Sequence, residues 1–389
     1  MRRLLAVTTA AWLALAPMTA HAAGAAWTQG AKVAGIFDVD GPRTDGSLIV
    51  AGAGALYLLD PTGTLNPFAR GPGGYHDDPG SEAYLSMSPG GAVSSAGCSF
   101  VPDETFLLRL HTPIGITRVS ASGDESGSFA NLTGVTGLNG IAFDTTGSFD
   151  HRLLVTGLLH NNTAVFAIDC SGAVQVLTRT APRVEGGVAV APSGFGSFGG
   201  ALIAPDELSG KIYAIAPTGR ATLIAKPALP AGPDTGVESV GFVPPGFMSR
   251  GIAVYYADRF TKGGKHPGND KLLQLTADQL ASAGVQEGDL LAATEGGATM
   301  VAVHCEASCK VIPVVAKATT EHGEGHLAFT MKAVTPSPSP APPPATSGPS
   351  VPSGLAEFAG QWGIPIVAIG IFLGLVALLG VQALRRRGR

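Results

Sequence analysis

The chain has 389 residues, of which 45% are hydrophobic and only 14% charged, with 54 glycines and 29 prolines. Its formal net charge is −4, and setting aside the six arginines at its two ends leaves 19 lysines and arginines against 29 acids, about −10. An acidic body of this kind excludes nucleic acid as a partner, because phosphate neutralisation needs a basic face.

Residues 1–22 carry Arg2 and Arg3, an apolar run from Leu4 to Pro17, and the small-x-small site Ala20-His21-Ala22. Basic, apolar and cleavage regions in that order are a secretory signal peptide, which places the rest outside the cytoplasm. From there to residue 332 the chain alternates short apolar runs with Gly, Pro, Asp and Ser turns, the pattern of all-β structure. The first run, "AWTQGAKV" (26–33), is an expected outer strand that closes a ring from the N-terminal side.

Two strips then recur. One reads "LLDPTGTL" (58–65), "RVSASGDE" (118–125), "AIDCSGAV" (167–174) and "AIAPTGRA" (214–221), with its glycine at 63, 123, 172 and 219. The other precedes it: "AGIFDVDG" (34–41), "EAYLSMSPG" (82–90), "NGIAFDTTG" (139–147), "EGGVAVAPSG" (185–194), "ESVGFVPPG" (238–246) and "EGGATMVAV" (295–303). Between them lie apolar runs such as "SLIVAG" (47–52), "RLLVTG" (152–157), "ALIAPD" (201–206) and "IAVYYAD" (252–258). Six units of about 50 residues, each an inner strand followed by three more, predict a six-bladed β-propeller. A two-sheet sandwich is the competing fold, but it does not predict this period.

Four cysteines in an exported chain are free to pair. Cys305 and Cys309 bracket the turn "CEASC" between apolar runs, so a bridge across that hairpin is expected, leaving Cys98 with Cys170. Four cysteines allow three connectivities, and a thiolate metal site is the alternative for the close pair.

Beyond residue 332, "PSPSPAPPPATSGPSVP" (336–352) has too many prolines for helix or sheet, and 333–360 reads as a disordered, semi-rigid stalk. Ile364 to Leu384 is 21 residues without a charge, preceded by Trp362 and followed by Arg385, Arg386, Arg387 and Arg389. That is one transmembrane helix within 361–384 and a basic cytoplasmic tail at 385–389. The expected protein is therefore a single-pass membrane protein with its propeller, 23–332, outside the cell.

"LNGIAFDTTG", followed by "LLVTG" and "IDCSG", resembles the SMP-30/gluconolactonase and NHL group of six-bladed propellers. In SMP-30-like enzymes a divalent cation, often calcium, sits in the central channel on acidic and Asn side chains at the starts of inner strands. Carried over position by position, the resemblance implies Glu82, Asn139, Glu185, Glu238 and Glu295 as metal ligands. Glu185 and Glu238 are the candidates for base or water-positioning residue. Oxygen donors of this kind suit calcium or magnesium. Register counts against a single ring. Asn139 and Glu238 stand two and four residues ahead of apolar strand positions, whereas Glu82 and Glu185 stand three and five ahead, and the first unit offers only Ala34. A slip of one residue turns a side chain to the other face unless a bulge absorbs it.

Other segments are lesser candidates. His76, Asp77 and Asp78 in "YHDDPGSE" lie just before Glu82 and would extend or gate the site. Asp206 and Glu207 in "PDELSG" read as an ordinary loop between middle strands. "DRFTKGGKHPGND" (258–270) is a long insertion suited to partner contacts. His304, His322 and His326 lie near the C-terminal blade, where "HGEGH" has glycines in a β context and is not the helical zinc motif. The first expectation for function is an extracytoplasmic binding or sensor module for an external protein, glycan or small molecule. The alternative is a metal-dependent hydrolase of the lactonase type.

Overall fold

A computed structural model describes residues 24–332. The signal segment at 1–22, the stalk at 333–360, the apolar span at 361–384 and the basic tail lie outside the described residues. Among the described residues no helix is long and apolar enough to cross a membrane.

Six four-stranded antiparallel sheets form the body. Blade one holds Ile36–Asp40, Leu48–Gly52, Ala55–Leu59 and Leu65–Phe68, innermost strand first. Blade two begins at Leu85–Met87 and, after a small hairpin, continues through Thr105–Arg109, Gly115–Val119 and Ser126–Asn131. Blades three and four follow the same order, with inner strands Gly137–Phe143 and Ala189–Val190. Each inner strand packs beside the next, and the sixth packs beside the first, so the ring is closed.

The recurring hairpin has a local cause. Asp60 accepts hydrogen bonds from the backbone N–H of Thr62 and Thr64, and Asp169 does the same for Ser171 and Ala173. Each turn then passes through a glycine at positive φ, Gly63 at 87° and Gly172 at 84°. A side-chain oxygen that binds the chain two residues on, followed by a left-handed residue, is turn chemistry that needs no tertiary partner. It is therefore visible as a repeat.

The last two blades depart from the expected order. Blade five has the inner strand Val237–Phe242, but its other strands are Leu290–Thr294, Met300–Cys305 and Cys309–Val315. The hairpin between, Gly251–Asp258 and Lys271–Thr276, crosses into blade six. There it is flanked by the inner strand Gly323–Met331 and the outer strand Thr28–Lys32. So "EGGATMVAV" is not the sixth inner strand; it is a hairpin within blade five, and "IAVYYAD" belongs to blade six. The misreading has a physical reason. Sequential strands are usually spatial neighbours, and this chain exchanges them between two blades. The N-terminal strand does close the ring as the outer strand of blade six.

Packing between blades fills the body. Phe100, Phe106, Phe129 and Phe143 meet edge-on or tilted where blades two and three join, at centroid separations of 4.9 to 6.3 Å. Cys98–Cys170 ties the small hairpin of blade two to blade three, and Cys305–Cys309 closes the outer hairpin of blade five.

Candidate functional site

In an antiparallel blade the start of the inner strand and the end of its neighbour lie at the same end. The residues at or just before the starts of inner strands and just after second strands therefore converge at one mouth of the channel. Glu82, Glu185, Glu238, His322 and Glu324 come from the first set, and Glu207, Arg259 and Glu295 from the second. Together they line an open cavity of about 520 Å³.

The floor of this cavity is a linked set of buried groups. His322 Nε2 lies 2.9 Å from Glu295 Oε1 and 3.4 Å from Glu324 Oε1. Burial works against a charged imidazole, but the hydrogen bonds to Glu295 and Glu324 outweigh it and carry the His322 pKa up to about 10. Tyr84 Oη lies 2.7 Å from Glu238 Oε1 and 2.8 Å from Glu324 Oε2. A phenol has one hydrogen and can donate to only one carboxylate. The second contact needs a hydrogen from the other carboxyl, so Glu238 and Glu324 together retain a proton. Burial, then the charges of Glu324 and Glu295, push Glu238 well above the usual carboxylate range. Burial raises Glu324 as well, and His322 offsets part of that. Glu207 is driven up to about 8 by burial and by its hydrogen bond and charge repulsion with Glu295.

Glycines make this crowding sterically feasible. A Cβ on Gly323, between His322 and Glu324, would sit 2.1 Å from the Tyr256 ring. One on Gly186, beside Glu185 and at φ 80°, would sit 1.9 Å from the Glu238 carbonyl oxygen.

The sequence-derived candidates divide. Glu82, Glu185, Glu238 and Glu295 all face this cavity. Glu82 pairs with Arg259, and Glu185 pairs with Arg183 at 2.8 Å. Asn139 does not join them. It is buried in the wall, where its Nδ2 donates to the Val184 carbonyl and its Oδ1 accepts from the Thr156 hydroxyl. The Nδ2 contact ties the inner strand of blade three to the segment leading into blade four, and the Oδ1 contact lies within blade three, so Asn139 is a structural residue. Asp77 and Asp78 line a shallow hollow beside the mouth, which shares Glu82. His304 stays with Asp289 in blade five, 2.6 Å away.

Sequence reading missed Glu207, Arg259, His322 and Glu324 as members of this site. The segments "PDELSG", "DRFTKGG" and "HGEGH" give a usable signal only once the blade boundaries are right: a charged residue directly after a second strand, or charged residues alternating across a glycine at the start of an inner one. Asp38 was hidden by a bulge in the first inner strand, between Ile36 and Asp38. It accepts the backbone N–H of Leu85 and His326, and His326 Nδ1 lies 3.0 Å from it. His326 Nε2 meets the Ile141 carbonyl at 2.7 Å. Both ring nitrogens face acceptors, so His326 is an imidazolium that links blades one, three and six. It sits between the acidic cavity and a second, apolar mouth of about 390 Å³ lined by Met87, Phe143, Phe242 and Met331.

Ligand atoms of Glu295, His322 and Glu324 all lie within 4.8 Å of one another. One imidazole nitrogen and two carboxylate oxygens are a divalent-cation donor set, and the protons now shared among the buried carboxyls are what a cation displaces. The residues fit such an ion. The imidazole widens the choice beyond calcium and magnesium toward manganese and zinc.

No protein-family model matches the chain, and no curated protein matches it. Solved structures resemble it in fold, and members of the SMP-30/gluconolactonase group are among them. A virginiamycin B lyase from Staphylococcus aureus is 16% identical over 76% of this chain and 92% of its own, with a TM-score of 0.39. A streptogramin B lyase is 12% identical over 79% of this chain and 94% of its own, at 0.41. Regucalcin from Agrobacterium tumefaciens, a calcium-binding protein, is 13% identical over 62% of this chain and 74% of its own, at 0.35. The six-bladed assignment rests on the strand pairing of this chain itself.

Proposed function

We propose that the protein is a membrane-anchored, extracytoplasmic binding module that holds a divalent cation at its acidic channel mouth and presents it to an outside ligand. The convergence of Glu295, His322 and Glu324 beneath an open cavity carries this reading. The anchoring part rests on the signal-like and apolar segments of the sequence. The inner strand of blade six runs from the acidic mouth at Glu324 to Met331 at the apolar mouth. The last described residues of the propeller thus lie toward the mouth opposite the site.

Thermal unfolding of the full-length chain with calcium, magnesium, manganese or zinc tests the cation. A site at a hundredfold excess of ion over its Kd stabilises the fold by about 2.7 kcal/mol. Wild type is expected to show such a rise with at least one ion, and Glu295→Gln/Glu324→Gln to lose it. Equal melting of both proteins with every ion removes the site.

A lactonase-type hydrolase is the second reading, supported by the proton held between Tyr84, Glu238 and Glu324. A buried carboxyl that keeps a proton next to a cation site is equipped for general acid–base work. When bound, the cation would supply charge to polarise a carbonyl. The chain's own part would be Glu238 and Tyr84 holding a proton, with Glu185 at the wall. Turnover of a lactone panel by the cation-loaded protein separates the two readings.

A further inference from the structure

We propose that the acidic mouth also contains an anion subsite, formed by Arg259, Lys262 and Arg183, which takes the carboxylate of a small organic acid alongside the cation. This rests on the cation-site reading above and adds the chemical class of the ligand. These three basic side chains line a cavity rich in carboxylates. Their donors are underused. Only Nη1 of Arg259 is hydrogen-bonded, to Glu82 and weakly to Glu324 at 3.5 Å, which leaves Nε and Nη2 without partners among the described residues. Arg183 pairs with Glu185 through Nη2, while its buried Nε has no partner. Lys262 makes no ion pair among the described residues.

Glu324 belongs to the candidate cation site and also touches Arg259. A cation there and the guanidinium would share the single Glu324 carboxylate, leaving an excess of positive charge that an added anion offsets. Arg259 is not free to withdraw at the backbone. Its N–H donates to the His322 carbonyl at 2.8 Å, and the preceding Asp258 accepts the His322 N–H at 2.8 Å. The guanidinium is therefore carried on the same strand pair as two of the three cation ligands, His322 and Glu324. Its partner Glu82 has a side chain 51% exposed, so that ion pair opens at little cost.

A guanidinium fork matches the two oxygens of a carboxylate. Glu82, Glu185 and Asp234 share the wall and repel a phosphate dianion more than a singly charged carboxylate. Phe260, 54% exposed at the rim, offers an apolar surface to the rest of the acid.

The test is calorimetric titration of the full-length chain with mandelate, with its uncharged amide mandelamide, and with inorganic phosphate, each with manganese and with chelator. Mandelate with manganese is expected to bind at least about tenfold more tightly than mandelamide, and Arg259→Gln to lose about tenfold of that affinity. A manganese-induced rise in Tm that persists in Arg259→Gln shows that the variant is folded with its cation site intact. Equal binding of mandelate and mandelamide, or equal mandelate binding by wild type and Arg259→Gln, overturns the subsite. Phosphate binding more tightly than mandelate overturns the carboxylate assignment. Absence of manganese uptake overturns the cation reading instead, and Arg259-dependent mandelate binding in chelator would then leave the anion subsite standing alone.

Discussion

At the scale of single residues the channel is organised by hydrogens that have too many claimants. Tyr84 serves two carboxyls with one proton, and His326 gives both of its protons away. His326 yields a pH prediction. Burial lowers its pKa, but the Asp38 carboxylate, with Asp40 nearby and the Ile141 carbonyl, outweighs burial and carries it up to about 9. Its ordinary value is about 6.5. The stabilisation is thus fully present below about pH 6.5 and is lost as pH rises through about 9, a change on the order of 3 kcal/mol. Urea unfolding in chelator is expected to show wild type losing stability over this window, while His326→Gln, less stable at pH 6, loses less, the remaining pH dependence coming from His322, whose pKa is likewise raised. Parallel pH profiles for the two proteins would remove the imidazolium. Residue identity alone was a poor guide here. Asn139 and Glu238 hold the same offset from their apolar strand positions, yet one is consumed inside the wall and the other reaches the mouth.

At the scale of elements the exchange between blades five and six decides the site. Blade six is assembled from three separate segments, Thr28–Lys32, Gly251–Thr276 and Gly323–Met331. The outer segment covers the edge of Lys271–Thr276, and Gln29 and Lys32 pair with Leu273 and Lys271. Deleting residues 24–33 uncovers that edge, and an unpaired edge is a template for association. The truncated chain is expected to melt earlier and to elute as larger species on size exclusion; a monomer of unchanged Tm would show that the strand does not close the ring. The disulfides scale differently. Cys98–Cys170 spans 72 residues and Cys305–Cys309 spans 4. Loop-entropy reasoning gives about 4 kcal/mol for the first and about 2 kcal/mol for the second. Chemical denaturation of Cys98→Ser/Cys170→Ser against Cys305→Ser/Cys309→Ser is expected to show the larger loss in the first pair.

At the scale of the whole molecule the described body is a closed ring with unlike ends, one charged and one apolar. Its net negative charge does not make the acidic mouth uniformly negative, because arginines and retained protons balance the carboxylates. Anchoring through the C-terminal segment predicts that brief protease treatment of intact cells releases a propeller fragment cut within 333–360. Full-length protein surviving untouched, but cleaved after lysis, would place the propeller inside.

What the sequence by itself determined was the architecture and much of the mouth. Turns such as "DPTG" and "DCSG" are local chemistry, so they repeat legibly and mark four of the blades, the strip ahead of the inner strands supplying the count of six. Glutamates at or ahead of the starts of inner strands are likewise visible, and Glu82, Glu185 and Glu238 needed only correct strand starts. Only the tertiary structure decided which strand is the sixth inner one, and with it the roles of His322 and Glu324. It also decided that Glu207, Arg259 and Glu295, each following a second strand, arrive at the same place. The reason is that a propeller site belongs to no blade. Its members come from strand ends in different blades and meet only when the ring closes, and an exchange of strands between neighbouring blades leaves no mark on the local pattern.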